Sequence, residues 1–157
     1  MHIEPGVVNG AKLLLSYGTA AGCLGGLAKL AWGTIKNDGI TQLAIRSMIT
    51  TLLVFCFFQV LPHYPVGVSE VHFILGSTLF LMFGLAPAAI GLALGLLIQG
   101  LLFSPFDLPQ YGMNNTTLLV PLMAVALVAD KIIPKNTAYK DVSYKQTLAL
   151  SAAYQGG

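Results

Sequence analysis

Charged side chains are scarce in this sequence. Of its 157 residues, 8 are Lys or Arg and 6 are Asp or Glu, which together make 9% of the chain. An ordinary soluble domain has about 25% charged residues, and it needs polar groups to keep its exposed apolar patches small. Here 55% of the residues are hydrophobic, and the mean hydropathy is +0.76. This composition excludes a soluble globular domain and a disordered chain, and it predicts a protein that lies in a lipid bilayer.

The sequence has too few cysteines for a disulfide framework and too few clustered basic residues for nucleic-acid binding. The two cysteines, Cys23 and Cys56, lie in apolar stretches, so neither a disulfide framework nor a CxxC metal site is predicted. A net charge of +2 without a concentrated basic face argues against nucleic-acid binding. The sequence has no nucleophile–base pair, Walker motif or glycine-rich phosphate loop. We therefore expect neither an enzyme nor an ATPase, and no bound cofactor.

Long apolar runs predict an all-α membrane protein, because a helix needs about 20 mainly apolar residues to cross the hydrocarbon. The run 73–106 is uncharged and too long for one crossing, and Gly84-Leu85-Ala86-Pro87 near its middle predicts a tight turn between two helices. A further apolar pattern begins after Lys145 and predicts a sixth helix, truncated at the C-terminus. The expected fold is a polytopic helix bundle of five full spans plus this sixth, in a single domain over residues 1–157. The five spans are residues 8–33, residues 42–61, two helices within 73–106, and residues 116–129.

The distribution of Lys and Arg predicts the orientation of the bundle, since these residues favour cytoplasmic loops. Lys36 and Arg46 flank the first turn and four lysines follow the fifth span, so both regions are expected in the cytoplasm. Alternate crossings then place residues 1–10, 62–71 and 104–115 on the outer face, with the N-terminus outside. These three segments contain no Lys or Arg. All three histidines and three acidic residues are expected on this face: His2, Glu4, His63, Glu70, His72 and Asp107.

Glycines recur every four residues in two of the predicted spans. Gly18, Gly22 and Gly26 form the first stripe, and Gly91 and Gly95 form the second. Small residues at this spacing let helices approach closely in lipid. Two interpretations stay open, which are packing within the bundle and docking to another membrane subunit.

The first two residues carry the most specific chemistry. The amine of Met1, the deprotonated backbone nitrogen of His2 and the His2 imidazole are three nitrogens that share small chelate rings and tend towards one plane. A fourth nitrogen completes a square-planar site, which suits Ni(II) or Cu(II), and Co(II) is also tolerated. His72 is the predicted fourth ligand, because an ionisable group near the membrane is costly without a role or a partner. His63 is interpreted as a loop or interface residue.

Less specific interpretations exist for the same residues. His2 can belong to a frayed terminus, and His72 can be satisfied by a nearby hydroxyl, carboxylate or carbonyl group. Gln99, Asn114 and Asn115 lie at or near apolar helices, so each of them needs hydrogen-bond partners. These carboxamides either hold helices together or support the metal ligands by hydrogen bonds.

Several short motifs along the chain occur in the order found in one protein family. They are Met1-His2-Ile3 with Gly6, residues 67–76 around Ser69 and His72, Gln99-Gly100-Leu101-Leu102-Phe103, and Gly112-Met113-Asn114 followed by Pro121-Leu122. Over essentially its whole length the chain resembles the CbiM/NikM family, the substrate-binding membrane subunits of energy-coupling factor (ECF) ABC transporters for cobalt and nickel.

This resemblance implies a metal site formed by Met1, His2 and His72, with Co²⁺ or Ni²⁺ as the transported substrate. It also implies two cytoplasmic ATPase subunits, a membrane coupling subunit and often a small membrane accessory protein as partners, in the inner cell membrane. A membrane scaffold or assembly subunit without a metal site is the competing class. A haem- or quinone-binding membrane enzyme is less favoured, because haem needs histidines within the bundle and all three are predicted at its outer edge.

Overall fold

The computed structural model describes residues 2–3, 8, 10–66, 69–134 and 137–155, and for residues 2–3, 63, 65–66 and 69–71 it describes the backbone alone. The helices are α1 (Ala11–Asp38), α2 (Ile40–Val60), α3 (Gly76–Phe83), α4 (Leu85–Leu102), α5 (Tyr111–Ile132) and α6 (Tyr144–Gln155). The strands are β1 (His2–Ile3), β2 (His63–Val66) and β3 (Ser69–His72). Two 3₁₀ helices complete the description, Pro105–Gln110 and Tyr139–Asp141.

Four helical segments of the described chain are long and apolar enough to cross a membrane. They are α1, α2, α4, and α5 together with the 3₁₀ helix before it. The third predicted span is not among them, since α3 has 8 residues, about 12 Å at 1.5 Å per residue, against a hydrocarbon layer of about 30 Å. The expected turn is present, because Gly84, with a φ of 94°, separates α3 from α4. The short sixth helix corresponds to α6, which has 12 residues.

A small sheet, which the sequence did not predict, lies at one end of the otherwise helical bundle. Strands β2 and β3 pair antiparallel, and β1 pairs antiparallel with the other edge of β3, which gives the order β1-β3-β2. Helix α2 ends at Val60, two residues before Pro62, because proline disfavours helical backbone in the residue before it. Tyr64 and Val66 that follow are residues common in strands. We call this part of the molecule the sheet end.

Contacts between α2 and α4 show that these two helices run in the same direction. Thr50 Oγ1 donates a hydrogen bond to the Pro87 carbonyl oxygen at 2.7 Å. Further along both helices, the rings of Phe55 and Phe103 lie 5.7 Å apart. Helices α1 and α2 run in opposite directions, because the chain reverses at Gly39, which has a φ of 86°.

Similar contacts give the directions of the remaining helices. Helix α5 is parallel to α1, because Tyr17 donates to the Pro109 carbonyl oxygen at 2.7 Å and the hydroxyls of Thr19 and Thr116 lie 3.3 Å apart. Helix α6 returns antiparallel to α5, with Gln146 Nε2 donating to the Ile132 carbonyl oxygen at 2.6 Å. Consecutive helices therefore alternate in direction, although α3 is too short for a full crossing. The end opposite the sheet, where α1 meets α2 and α5 ends, is called the basic end.

The two glycine stripes behave differently in the fold. Gly91 and Gly95 pack α4 against α2: a Cβ at Gly91 would lie 2.8 Å from the Thr50 carbonyl carbon, and one at Gly95 would lie 2.6 Å from Val54 Cγ1. Packing within the bundle is therefore the correct interpretation of this stripe. A Cβ at Gly18, Gly22 or Gly26 of α1 would meet nothing within 4 Å in the described chain. The described residues therefore give no support to packing within the bundle for that first stripe, and docking to another membrane subunit stays a prediction.

We expect Gly91→Ala to destabilise the bundle by about 1–3 kcal/mol, as overpacking of a tight core does. The reason is that the new methyl meets the backbone of α2, which must move away from α4. Gly22→Ala is the matched control, and we expect it to be neutral or slightly stabilising, because its Cβ meets open space and alanine is the better helix former. The check is the midpoint of thermal unfolding in detergent. Equal midpoints for both variants would contradict the close α2–α4 contact.

Candidate metal centre

The sheet places the backbones of two predicted ligands side by side. In the β1–β3 pair, His2 is opposite Glu70 and Ile3 is opposite Ser69. His72 ends β3 two residues after Glu70, so it is a diagonal neighbour of His2. Diagonal neighbours in an antiparallel pair have Cα atoms about 7–8 Å apart. The sheet thus brings together two histidines that are 70 residues apart in sequence. The third predicted ligand, Met1, lies outside the described residues.

The His72 side chain is held in the interior. Its exposed fraction is 6%, and its ring centroid lies 5.1 Å from that of Phe58 on α2, at an interplanar angle of 60°. This edge contact with a buried ring restricts the orientation of the imidazole. A cleft of about 470 Å³ opens beside it. Six residues line the cleft: Leu61, Pro62, Tyr64, His72, Phe73 and Gln155.

The segment after His72 is fixed by α6. The chain enters α3 through Leu75, whose φ of 54° is unusual for a residue other than glycine. Gly76 then lies against the Tyr154 ring, where a Cβ would come 2.5 Å from the hydroxyl oxygen. The hydroxyls of Ser77 and Ser151 are 3.1 Å apart. Helix α6, which the sequence predicted only as a truncated span, therefore supports the strand end that carries His72.

His63 lies closer to the predicted site than the sequence indicated. The β2–β3 register places it directly opposite His72, and such partners have Cα atoms about 4.5–5.5 Å apart. The sequence analysis assigned it to a loop and not to a strand. Tyr64 and Val66, which follow His63, are residues common in strands, and they could have indicated that His63 begins one.

Among the side chains that the structure describes, no three His, Cys, Asp or Glu residues gather as a metal site.

Four buried carboxamides lie towards the sheet end, on α4, α5 and the 3₁₀ helix between them. Strand β1 contacts both α5 and this 3₁₀ helix. The sequence analysis identified three of the four carboxamides and missed Gln110. Gln99 donates through Nε2 to Ser104 Oγ at 3.1 Å. The four residues are Gln99, Gln110, Asn114 and Asn115.

Comparison with known protein families gives a match over nearly the whole chain. The family described as "Cobalt uptake substrate-specific transmembrane region", CbiM, matches residues 2–156. No curated protein and no solved structure gives a significant match. The family is a membrane component of transport and not a group of enzymes, and the four apolar helical segments agree with an integral membrane protein. Because the match covers nearly the whole chain, this protein belongs to the CbiM family of substrate-specific transmembrane components for cobalt uptake.

Proposed function

We propose that this chain is the substrate-binding membrane subunit of an ECF-type ABC transporter that imports Co²⁺ or Ni²⁺. The observation that carries the proposal is the pairing of β1 with β3, which brings the backbone of His2 beside the strand that ends at His72. Membership of a cobalt-uptake family supports the choice of substrate. The whole of residues 1–157 forms the substrate-binding domain in this proposal.

The metal is bound by four nitrogens in this proposal. The Met1 amine, the His2 backbone nitrogen and the His2 imidazole form adjoining chelate rings, and the His72 imidazole completes a square plane that suits Ni(II) and is accessible to Co(II). The proposal requires a free amine on Met1. The buried imidazole of His72, held edge-on by Phe58, supports it because a ligand that is already oriented loses little freedom on binding. The cleft beside His72 offers the ion an approach from the sheet end.

We propose that the sheet end lies on the outer face of the inner cell membrane. Basic residues at the opposite end support this orientation, since Lys and Arg favour cytoplasmic loops. Arg46 Nη1 lies 3.4 Å from Asp38 Oδ2 across the α1–α2 turn. Lys36 Nζ lies 5.6 Å from the centre of the Trp32 ring, and tryptophan is common at membrane interfaces. The N-terminus is then outside the cell.

Energy for uptake comes from partner proteins, because the sequence contains no nucleotide-binding motif. The partners are two cytoplasmic ATPases, a membrane coupling subunit and often a small membrane accessory protein. In the proposed cycle, residues 62–71 and 104–115 close over the captured ion. Movement of the coupling subunit then releases the ion on the cytoplasmic side.

Uptake of radioactive cobalt or nickel by cells that produce this chain with its ECF partners tests the proposal. We expect accumulation at least about 10-fold above that of cells lacking this chain, since pumping works against the gradient and leakage does not. The matched control is an ATPase subunit with its Walker lysine replaced, which should reduce accumulation to the background level.

Two results would contradict parts of this proposal. Accumulation that survives loss of ATP hydrolysis would exclude an ECF-type transporter. Absence of accumulation, together with absence of bound metal in the purified chain, would favour the scaffold or assembly subunit instead.

A further inference from the structure

Asn115 is completely buried without hydrogen bonds to its side chain. Its exposed fraction is 0%, and neither Oδ1 nor Nδ2 has a hydrogen-bond partner in the described part of the chain. A buried carboxamide without partners is costly, because it has lost its hydrogen bonds to water and gained none in exchange. Such a group is rare in a folded protein, and it therefore needs an explanation.

The position of Asn115 on α5 places it inside the bundle. Residues three and four positions apart share a helix face, so Asn115 lies on the face of Gly112 and Tyr111. Gly112 packs on α1, where a Cβ would lie 3.3 Å from the Ser16 carbonyl oxygen. Tyr111 donates to the Ala93 carbonyl oxygen of α4 at 2.9 Å. Asn115 therefore lies on the side of α5 that faces α1 and α4, five residues into the helix and towards the sheet end.

The amino-terminal strand is one of the elements that contact α5. Strand β1 contacts α5 and also the 3₁₀ helix Pro105–Gln110. The fully buried polar side chains of the described chain are hydroxyls, carboxamides and His72, and Asp107 nearby is half-buried. None of these groups lies within hydrogen-bond distance of the Asn115 carboxamide, so its partner lies outside the described residues or arrives with a ligand.

We propose that Asn115 is a positioning residue whose carboxamide binds the amino-terminal segment when the segment carries a metal ion. This inference rests on the proposed function. When Met1 and His2 hold a metal ion, their chelate fixes the position of the Met1–His2 amide group. The amide oxygen then accepts from Asn115 Nδ2–H, and the metal-bound Met1 amine keeps N–H groups that Asn115 Oδ1 accepts. The carboxamide is thus satisfied in the loaded state.

The variant Asn115→Leu separates this role from a structural one. Leucine has nearly the same shape and removes only the polar atoms. We expect the metal-free variant to unfold at the same temperature as the wild type or at a higher one. We also expect its affinity for Ni(II) to fall about 10- to 100-fold, the usual effect of removing a hydrogen bond to a metal ligand. At saturating nickel the absorption band of the bound ion should stay at its wild-type wavelength, because the donor atoms are unchanged.

Thr50→Val is the matched control. Thr50 is also fully buried, but its hydroxyl donates to the Pro87 carbonyl oxygen at 2.7 Å and lies 3.0 Å from the Ser47 carbonyl oxygen. We expect this variant to unfold at a lower temperature than the wild type and to bind Ni(II) with wild-type affinity. Asn115→Leu should therefore lower the nickel affinity measured by equilibrium dialysis without lowering the unfolding temperature. Thr50→Val should lower the unfolding temperature without changing the nickel affinity. If Asn115→Leu does not fold, the same measurements are made on Asn115→Ala, which removes the carboxamide without adding a larger side chain.

Three outcomes would overturn the role of Asn115. The first is wild-type nickel affinity in both Asn115 variants, and the second is a loss of metal-free stability as large as that of Thr50→Val. In either case the wild type still binds metal, so the proposed function survives. The third is a wild-type protein that binds neither nickel nor cobalt, and that result overturns the proposed function together with this role.

Discussion

An uncleaved extension of several residues before Met1 is expected to lower the affinity for Ni(II) and Co(II) by more than about 100-fold. The extension leaves every side chain in place and converts the terminal amine into a peptide nitrogen. One donor is lost directly, and with it the chelate ring between residues 1 and 2. Changes outside the ligand set already cost about 10- to 100-fold in metal affinity, so loss of a ligand should exceed that range. Metal stoichiometry of the purified protein, measured by equilibrium dialysis, checks this expectation.

A removable extension gives the matched control for this experiment. Proteolytic cleavage immediately before Met1 regenerates the native terminus in the same preparation, and near-stoichiometric binding should return. Equal binding before and after cleavage would move the site to the histidine side chains alone. Such a result would contradict capture by the terminus while leaving a metal-uptake function intact.

Replacement of His72 is expected to have the second large effect. His72→Ala should reduce nickel affinity about 100-fold or more, since it removes the fourth nitrogen of the proposed plane. The side chain is 6% exposed and packs on Phe58, so its removal also leaves a void. His72→Gln fills most of that void and should bind nickel nearly as poorly, while the metal-free protein unfolds closer to the wild-type temperature. Titration with nickel and thermal unfolding of the metal-free proteins measure the two effects separately.

His63→Ala is the matched control for His72, because the two residues are opposite each other in the β2–β3 pair. The proposed site does not use His63, so this variant should keep its affinity within about threefold of the wild type, below 1 kcal/mol in free energy. A loss as large as that of His72→Ala would make His63 a ligand. Wild-type affinity in both His72 variants would exclude His72 from the site.

The membrane spans show which part of the fold could be predicted from hydropathy. Helices α1, α2, α4 and α5 correspond to predicted spans, and the turn at Gly84 was expected. The third full span is not confirmed, because an apolar run does not show where the backbone is helical. Residues 73–75 are apolar, yet they precede the helix, and Leu75 adopts a left-handed conformation before α3 begins. The remaining 8 residues are too few to cross the hydrocarbon.

The glycine stripes show a second limit of sequence reasoning. Both have the four-residue spacing that favours close helix packing. The stripe of Gly91 and Gly95 packs on Thr50 and Val54, whereas that of α1 is open in the described chain. Spacing is a property of one helix alone. Whether a stripe is covered depends on a second helix, which lies elsewhere in the sequence.

The sequence by itself determined that this is a helical membrane protein with few charges, and it predicted nitrogen donors at Met1, His2 and His72. Those features follow from composition and from local chemistry, which act over a few neighbouring residues. Only the tertiary structure decided that β1 lies against β3, that α6 supports the segment after His72, and that Asn115 is buried with no hydrogen-bond partner among the described residues. Strand register and burial depend on contacts between residues far apart in the chain, and the energy of such contacts is set only when the helices and strands have packed together.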